Sequence, residues 1–190
     1  MDSGLSPKDI ISNELQPAMI VVGEKYSSGE YFLPDMLIAA RAMDYAVKEL
    51  EPFLLNVDIP VLGTVIIGQV KGDIHTIGRN IVITFLKGVG FEVINLGEDV
   101  ADEDFIKAVR EKKPDILGLS ALLTTTMPGL KRVIEALKVE GLRSQVKVVV
   151  GGAPVTREYA KSIGADGFGD DGGEAVRVCK ELAKAKEVEK

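Results

Sequence analysis

The chain of 190 residues holds one cysteine and one histidine, carries no excess of positive charge, and has no long uninterrupted apolar run. Each shortage excludes something. A lone Cys179 forms no internal disulfide and suits a reducing cytoplasm, where the protein is expected to reside. Its setting in "EAVRVCKELA" predicts an ordinary buried thiol. The net charge of −6 argues against nucleic acid or an anionic membrane as partner. No stretch approaches the roughly 18 consecutive apolar residues of a membrane span. The opening "MDSGLSPKDI" has no basic segment leading into an apolar run, so no secretory signal is expected. Neither G-x-x-x-x-G-K-[ST] nor a G-x-G-x-x-G with its acidic partner occurs, which leaves an ordinary nucleotide site weakly supported.

What is there is a soluble globular composition, 46% apolar and 27% charged, with enough apolar residues for a sizeable core. Residues 1–56 read as a helical unit. Ser6-Pro7 is a helix start, Ser as cap and Pro at the first helical position. Pro17 interrupts or restarts that helix, and "SSGEYFLP" is turn-like around Gly29 and Pro34. Met36, Ala40, Met43, Val47 and Leu50 then recur at spacings of three and four, one face of a helix that ends near Pro52. No strand pattern occurs in this part.

From residue 57 onward the rhythm changes. "GTVIIGQV", "FEVINLG", "DILGLSALL", "VKVVVGG" and a weak "DGFG" read as strands. Helical patterns follow each of them, in "NIVITFLKGVG", "DEDFIKAVREKKP", "PGLKRVIEALKVEG", "TREYAKSIGA" and "GEAVRVCKELAKA". Five strands alternating with helices predict an α/β fold, a doubly wound, five-stranded parallel sheet of flavodoxin-like type. Such sheets bind ligands outside the carboxyl ends of their strands. Four strand ends carry distinctive residues: "KGDIHTIGRN", "SALLTTTM", "GGAPV" and "GFGDDGG". Together they predict one continuous site.

His75 stands in the first of these loops. Asp73, two residues earlier, can accept a hydrogen bond from one ring nitrogen, fixing the tautomer and raising the basicity of the other, as behind metal-ligating histidines. No Cys, His or carboxylate cluster surrounds it to complete a zinc site. A single histidine holds a metal when the other ligands come from elsewhere, such as a macrocycle, which is the logic of haem proteins. The Gly151-Gly152 pair reads either as an ordinary loop glycine pair or as a place where backbone must approach a ligand closely, with the hydroxyls of "TTT" beside it.

The ordered set D-x-H-x-x-G (Asp73, His75, Gly78), S-x-L (Ser120, Leu122) and G-G (Gly151, Gly152) resembles the cobalamin-binding signature of methionine synthase and of the corrinoid proteins of methyltransferase systems. The helical part, "VVGEKYSSGEYFLPDMLIAARAMDYAVKELEP", is similar to the helical cap of the same proteins, so the likeness runs from about Leu5 onward. The resemblance implies a cobalamin cofactor whose cobalt takes His75 as lower axial ligand in place of the dimethylbenzimidazole base, with Asp73 behind it. Thr126 stands where methionine synthase has a relay serine; it retains the hydroxyl on a branched carbon. Ser120, Leu122, Gly151 and Gly152 would line the slot for the nucleotide tail, with Phe168 and Gly169 of "GFG" near the displaced base and Thr76 and Thr124 as further cofactor-binding residues. Tyr26 and Leu33 match cap positions over the methyl-bearing face, or else pack the cap onto the sheet domain.

The implied function is a methyl carrier rather than a complete enzyme. Its expected partners are a substrate-specific methyltransferase, an acceptor methyltransferase and a reductive activase. The family's cap usually has four helices, whereas about three segments precede Pro52 here. Three other readings stay open: the cobalamin subunit of a carbon-skeleton mutase, a cobalamin-sensing regulator, and a flavodoxin-like phosphate- or flavin-binding module in which His75 is incidental.

Overall fold

The computed structural model describes residues 6–50, 53 and 61–188. The helical part opens with α1 (Pro7–Asp9), where the Ser6 hydroxyl accepts a hydrogen bond from the Asp9 N–H, as the cap reading expects. A π-helical stretch (Ile10–Leu15) follows and leads directly into α2 (Gln16–Ser27). Pro17 therefore does not break the chain's helical course. The wider π turns absorb the missing N–H, and the first helix of the unit runs from Pro7 to Ser27 with its hydrogen-bond register changed midway. Residues 28–32 turn the chain into α3 (Leu33–Leu50). Its buried face is the one the spacing indicates, with Met36, Ala40 and Met43 inside. The described part of the unit thus has two helical rods rather than three. The expected helix end near Pro52 and the boundary between residues 56 and 57 lie outside the described residues.

The rest alternates as β1 (Thr64–Val70), α4 (Ile77–Gly88), β2 (Glu92–Val100), α5 (Asp102–Lys112), β3 (Ile116–Ser120), α6 (Pro128–Val139), β4 (Lys147–Gly151), α7 (Arg157–Ile163), β5 (Gly167–Gly169) and α8 (Gly172–Val188). All pairings are parallel, in the order β2-β1-β3-β4-β5. After β1 the chain winds outward to β2 and then returns past β1 to β3, so the switch point falls between β1 and β3. β2 runs three residues past the "FEVINLG" pattern. Two register shifts against β1, and a left-handed Asp99 (φ 51°), let this edge strand continue where alternation has ended.

Two apolar layers sandwich the sheet. One face packs Ile66, Leu117, Val148 and Val150 against α5, α6 and α7. The other packs Val65, Ile116 and Val149 against Phe85 and Leu86 of α4 and Val176 and Cys179 of α8. Met19, Met36, Ala40 and Met43 of the helical unit join that second layer, so cap and sheet share a core. Among the described residues no helix is long and apolar enough to cross a membrane.

Candidate functional site

The loop after β1 carries the chemistry because the strand before it is wholly buried and leaves no freedom in where the chain emerges. Asp73 is completely buried there and accepts five hydrogen bonds. Its Oδ1 receives Gln69 Nε2 at 3.1 Å, the His75 backbone N–H at 3.1 Å and His75 Nδ1 at 3.0 Å. Its Oδ2 receives the Leu122 N–H at 2.6 Å and the Thr126 hydroxyl at 2.8 Å. Burial alone would raise this carboxyl. The donors from Leu122, Thr126 and His75 outweigh it and bring the pKa down to about 2.

A carboxylate so held dictates the imidazole. With Nδ1–H donated to Asp73, Nε2 keeps its lone pair, and among the described residues it has no hydrogen-bond partner. The ring is 43% exposed at the rim of the sheet, a ligating nitrogen presented outward. The Thr126 hydroxyl has one proton and two acceptors in reach, Asp73 Oδ2 and the Leu123 carbonyl at 2.9 Å. It can favour either one.

Behind this rim lies a cavity of about 260 Å³ between the strand ends and α8. His75, Gly78, Ser120, Leu122, Gly151, Gly152, Gly169 and Tyr26 all line it, so the four distinctive strand ends do meet in one place. The glycines are there for room. At Gly152 (φ +123°) a Cβ would come within 1.9 Å of the Ala121 carbonyl oxygen, and at Gly151 within 2.8 Å of that of Gly169. The slot can therefore narrow to backbone width. Cys179 also borders it, with its thiol pushed up to about 12 by burial, an inert apolar wall.

Besides Asp73 and Thr126, which stand behind His75, four expected cofactor-binding residues do not line this cavity. Phe168 does not face the slot. Alternation along β5 turns its ring to the opposite side of the sheet, where it is buried and lies under the Arg157 guanidinium at 5.6 Å. Thr76 and Thr124 do not line the slot, and neither side-chain hydroxyl has a hydrogen-bond partner among the described residues; the Thr76 carbonyl accepts from the Asn80 N–H at 2.9 Å. Thr76 sits at the start of α4 with no side-chain cap bond. Leu33 packs half-buried into the layer shared by cap and sheet, whereas Tyr26 reaches the slot, its ring 5.8 Å from that of Phe85.

Other residues emerge only in three dimensions. Ile74, Ile77, Leu122 and Leu123 are exposed large hydrophobics on the two loops around His75, a platform suited to a broad apolar ligand face. Asp99 clamps the loop from the β2 side. Its carboxylate accepts the Gly72 N–H at 2.8 Å, and its own N–H donates to the Asp73 carbonyl at 2.9 Å. Buried Gln69 and Arg79 brace it from below. Only Asp99's left-handed backbone had a signal in the sequence, an acidic residue just past a strand pattern.

Comparison with known proteins gives a consistent answer. Residues 63–182 match the family described as a B12 binding domain, and residues 1–51 match a second family of the same description. The chain is similar to dimethylamine corrinoid protein 3 of Methanosarcina acetivorans, 46% identical over 93% of this chain and 83% of that protein. A cobalamin-binding protein from Desulfitobacterium hafniense superposes with a TM-score of 0.81 at 35% identity, covering 93% of this chain and 82% of that one. A chain of the methanol:cobalamin methyltransferase complex from Methanosarcina barkeri superposes with a TM-score of 0.80 at 31% identity, over 94% and 68% respectively.

Proposed function

The chain belongs to the B12-binding domain family, and on that premise we propose that it is a corrinoid methyl carrier. It would take a methyl group from a substrate-specific methyltransferase and yield it to an acceptor methyltransferase. The observation that carries this reading is the presentation of His75: one ring nitrogen tied to a buried, ionised Asp73, the other unpartnered at an apolar rim. That arrangement suits a flat ligand that brings its own equatorial donors, and the glycine-lined slot behind it suits a slender arm of the same ligand.

A bound corrinoid would supply a cobalt centre able to hold and release a methyl group. The protein's own residues do the rest. His75 Nε2 would hold the cobalt, and Asp73 fixes the tautomer that leaves that nitrogen free. Thr126 and the Leu122 N–H keep Asp73 charged, and the exposed Ile74, Ile77, Leu122 and Leu123 would exclude water from around His75 when the group is bound. Tyr26 brings the helical unit to the slot. Relatives named for dimethylamine and for methanol resemble the chain over most of its length, so the methyl donor belongs to the partner enzyme's selectivity.

The test is reconstitution with a corrinoid and absorbance of the loaded protein, red for a corrinoid and yellow for a flavin. Paramagnetic resonance of the cobalt(II) form, with nitrogen-15 histidine, should show hyperfine coupling to His75, lost in His75→Gly. A wild-type protein that binds the corrinoid without that coupling overturns the assignment of His75.

A further inference from the structure

Gln69 and Arg79 are buried polar residues that the reading above does not use. Gln69 is the next-to-last residue of β1, and Arg79 lies in the first turn of α4. Arg79 Nη1 donates to Gln69 Oε1 at 3.2 Å. The other end of the amide, Nε2, donates to Asp73 Oδ1 at 3.1 Å and also to the His75 carbonyl. The amide's orientation is forced by chemistry. A guanidinium only donates, so it must face Oε1, while a carboxylate and a carbonyl only accept and must face Nε2. The strand, the loop and the helix are thereby closed into one hydrogen-bonded ring around His75.

Arg79 is a poor device for stability alone. Its side chain is 4% exposed, its one ion pair reaches the half-exposed Glu98 at 4.0 Å, and its Nε has no hydrogen-bond partner among the described residues. Burying a guanidinium on those terms costs more than so distant a pair returns. What the arrangement does supply is orientation.

We propose that Gln69, held by Arg79, is a positioning residue that fixes the His75 imidazole in the single tautomer and direction needed for ligation. This rests on His75 being the ligand, but its primary test needs no corrinoid. His75 is the only histidine, so nitrogen-15 labelling gives one imidazole to observe in the ligand-free protein. At mildly alkaline pH the wild type should show one ordered tautomer, with the proton on Nδ1. Gln69→Glu keeps the shape and the bond to Arg79 but removes the donor facing Asp73 and the His75 carbonyl. Gln69→Leu removes both bonds. Both variants should lose the single-tautomer signature and show averaged ring shifts. Arg79→Met, which lets the amide turn over, should lose it in part, and Arg79→Lys should restore less than half of that loss because an ammonium cannot replace the planar fork.

In the loaded protein the same variants should move the pH at which His75 leaves cobalt upward, by at least threefold in proton concentration. If either Gln69 variant folds and keeps the wild-type ring signature, the inference is wrong. Should neither fold, Arg79→Met and Arg79→Lys decide it in the same way. A wild type without histidine coupling to cobalt defeats the ligand assignment instead, and the ring shifts then stand as a separate result.

Discussion

The loop after β1 and the helical unit are built on opposite plans. In the loop, one buried carboxylate collects five hydrogen bonds from four different residues. The helical unit meets the sheet domain through Met19, Met36 and Met43, unbranched side chains that fit several packings. It also leaves Phe32, Leu37, Ile38 and Tyr45 exposed. The first plan suits a group that must be presented in one geometry. The second suits a part that can repack against its neighbours, as the proposed transfer cycle would require of it.

Glycine substitutions should separate the plans most sharply. Gly152→Ala sets a Cβ within 1.9 Å of the Ala121 carbonyl oxygen at a left-handed position, and the clash is with backbone, which cannot step aside. We expect a loss on the order of 3 kcal/mol in urea unfolding. Gly29→Ala in the cap turn is also left-handed but meets nothing within 4 Å, so only conformational strain of about 1 kcal/mol should appear. Equal losses at the two positions would remove the contrast.

Asp73 gives the next effect, with a definite sign. Its folded carboxyl is held at about 2, below the ordinary 3.8, so the folded chain holds the charged form more tightly than the unfolded chain does. The stability this adds, about 2 kcal/mol, is fully present above pH of about 4 and fades as pH falls toward 2. Asp73→Asn should therefore show a flatter decline of stability over that interval than the wild type. Parallel acid-unfolding curves would mean that Asp73 does not carry this pH dependence.

Much of this was legible in the sequence, and the rest was hidden for physical reasons. The apolar runs of β1, β3 and β4 belong to strands buried on both faces, and the three-and-four spacing of α3 names its buried side. The Asp73–His75 contact is readable because both residues lie in one short loop. The direction of the Phe168 ring was not legible because β5 has three residues, two of them glycines, too few to show which way alternation points. Gln69 is the one polar side chain in the buried run of β1 after Thr64, and only the fold brings Arg79 back over it. The π-helical stretch before Pro17 has no signature in composition. Its wider turns compensate for a missing donor that looks, in sequence, like a break.

Core exchanges come third. Met36 is fully buried in the cap's contribution to the shared layer, and Leu117 is fully buried between β1 and β4. Volume-conserving exchanges cost less than about 1.5 kcal/mol in general. Met36→Leu should fall near zero, because its neighbours are themselves adaptable methionines. Leu117→Met should cost about 1 kcal/mol, because the sheet on either side cannot repack. Thermal unfolding at matched protein concentration reads both.

The smallest effect concerns the two cap residues once paired as covers of the same face. The structure separates them: Tyr26 lines the slot, while Leu33 is embedded in the layer between cap and sheet. Tyr26→Ala should therefore weaken corrinoid binding two- to threefold, because its ring is one wall among many. It should also speed photolysis of the loaded methyl form, because Tyr26 is the contact that ties the helical unit to the slot, and a cap held less firmly lets a methyl radical escape more readily. Tyr26→Phe keeps the ring against Phe85 and should change neither quantity. Leu33→Ala should lower thermal stability and leave photolysis as it was, since its side chain never reaches the slot. If Leu33→Ala speeds photolysis as much as Tyr26→Ala, the loaded cap sits differently from the one described here. Leu33 would then turn toward the cofactor when it binds, which is the rearrangement that a methionine-packed interface permits.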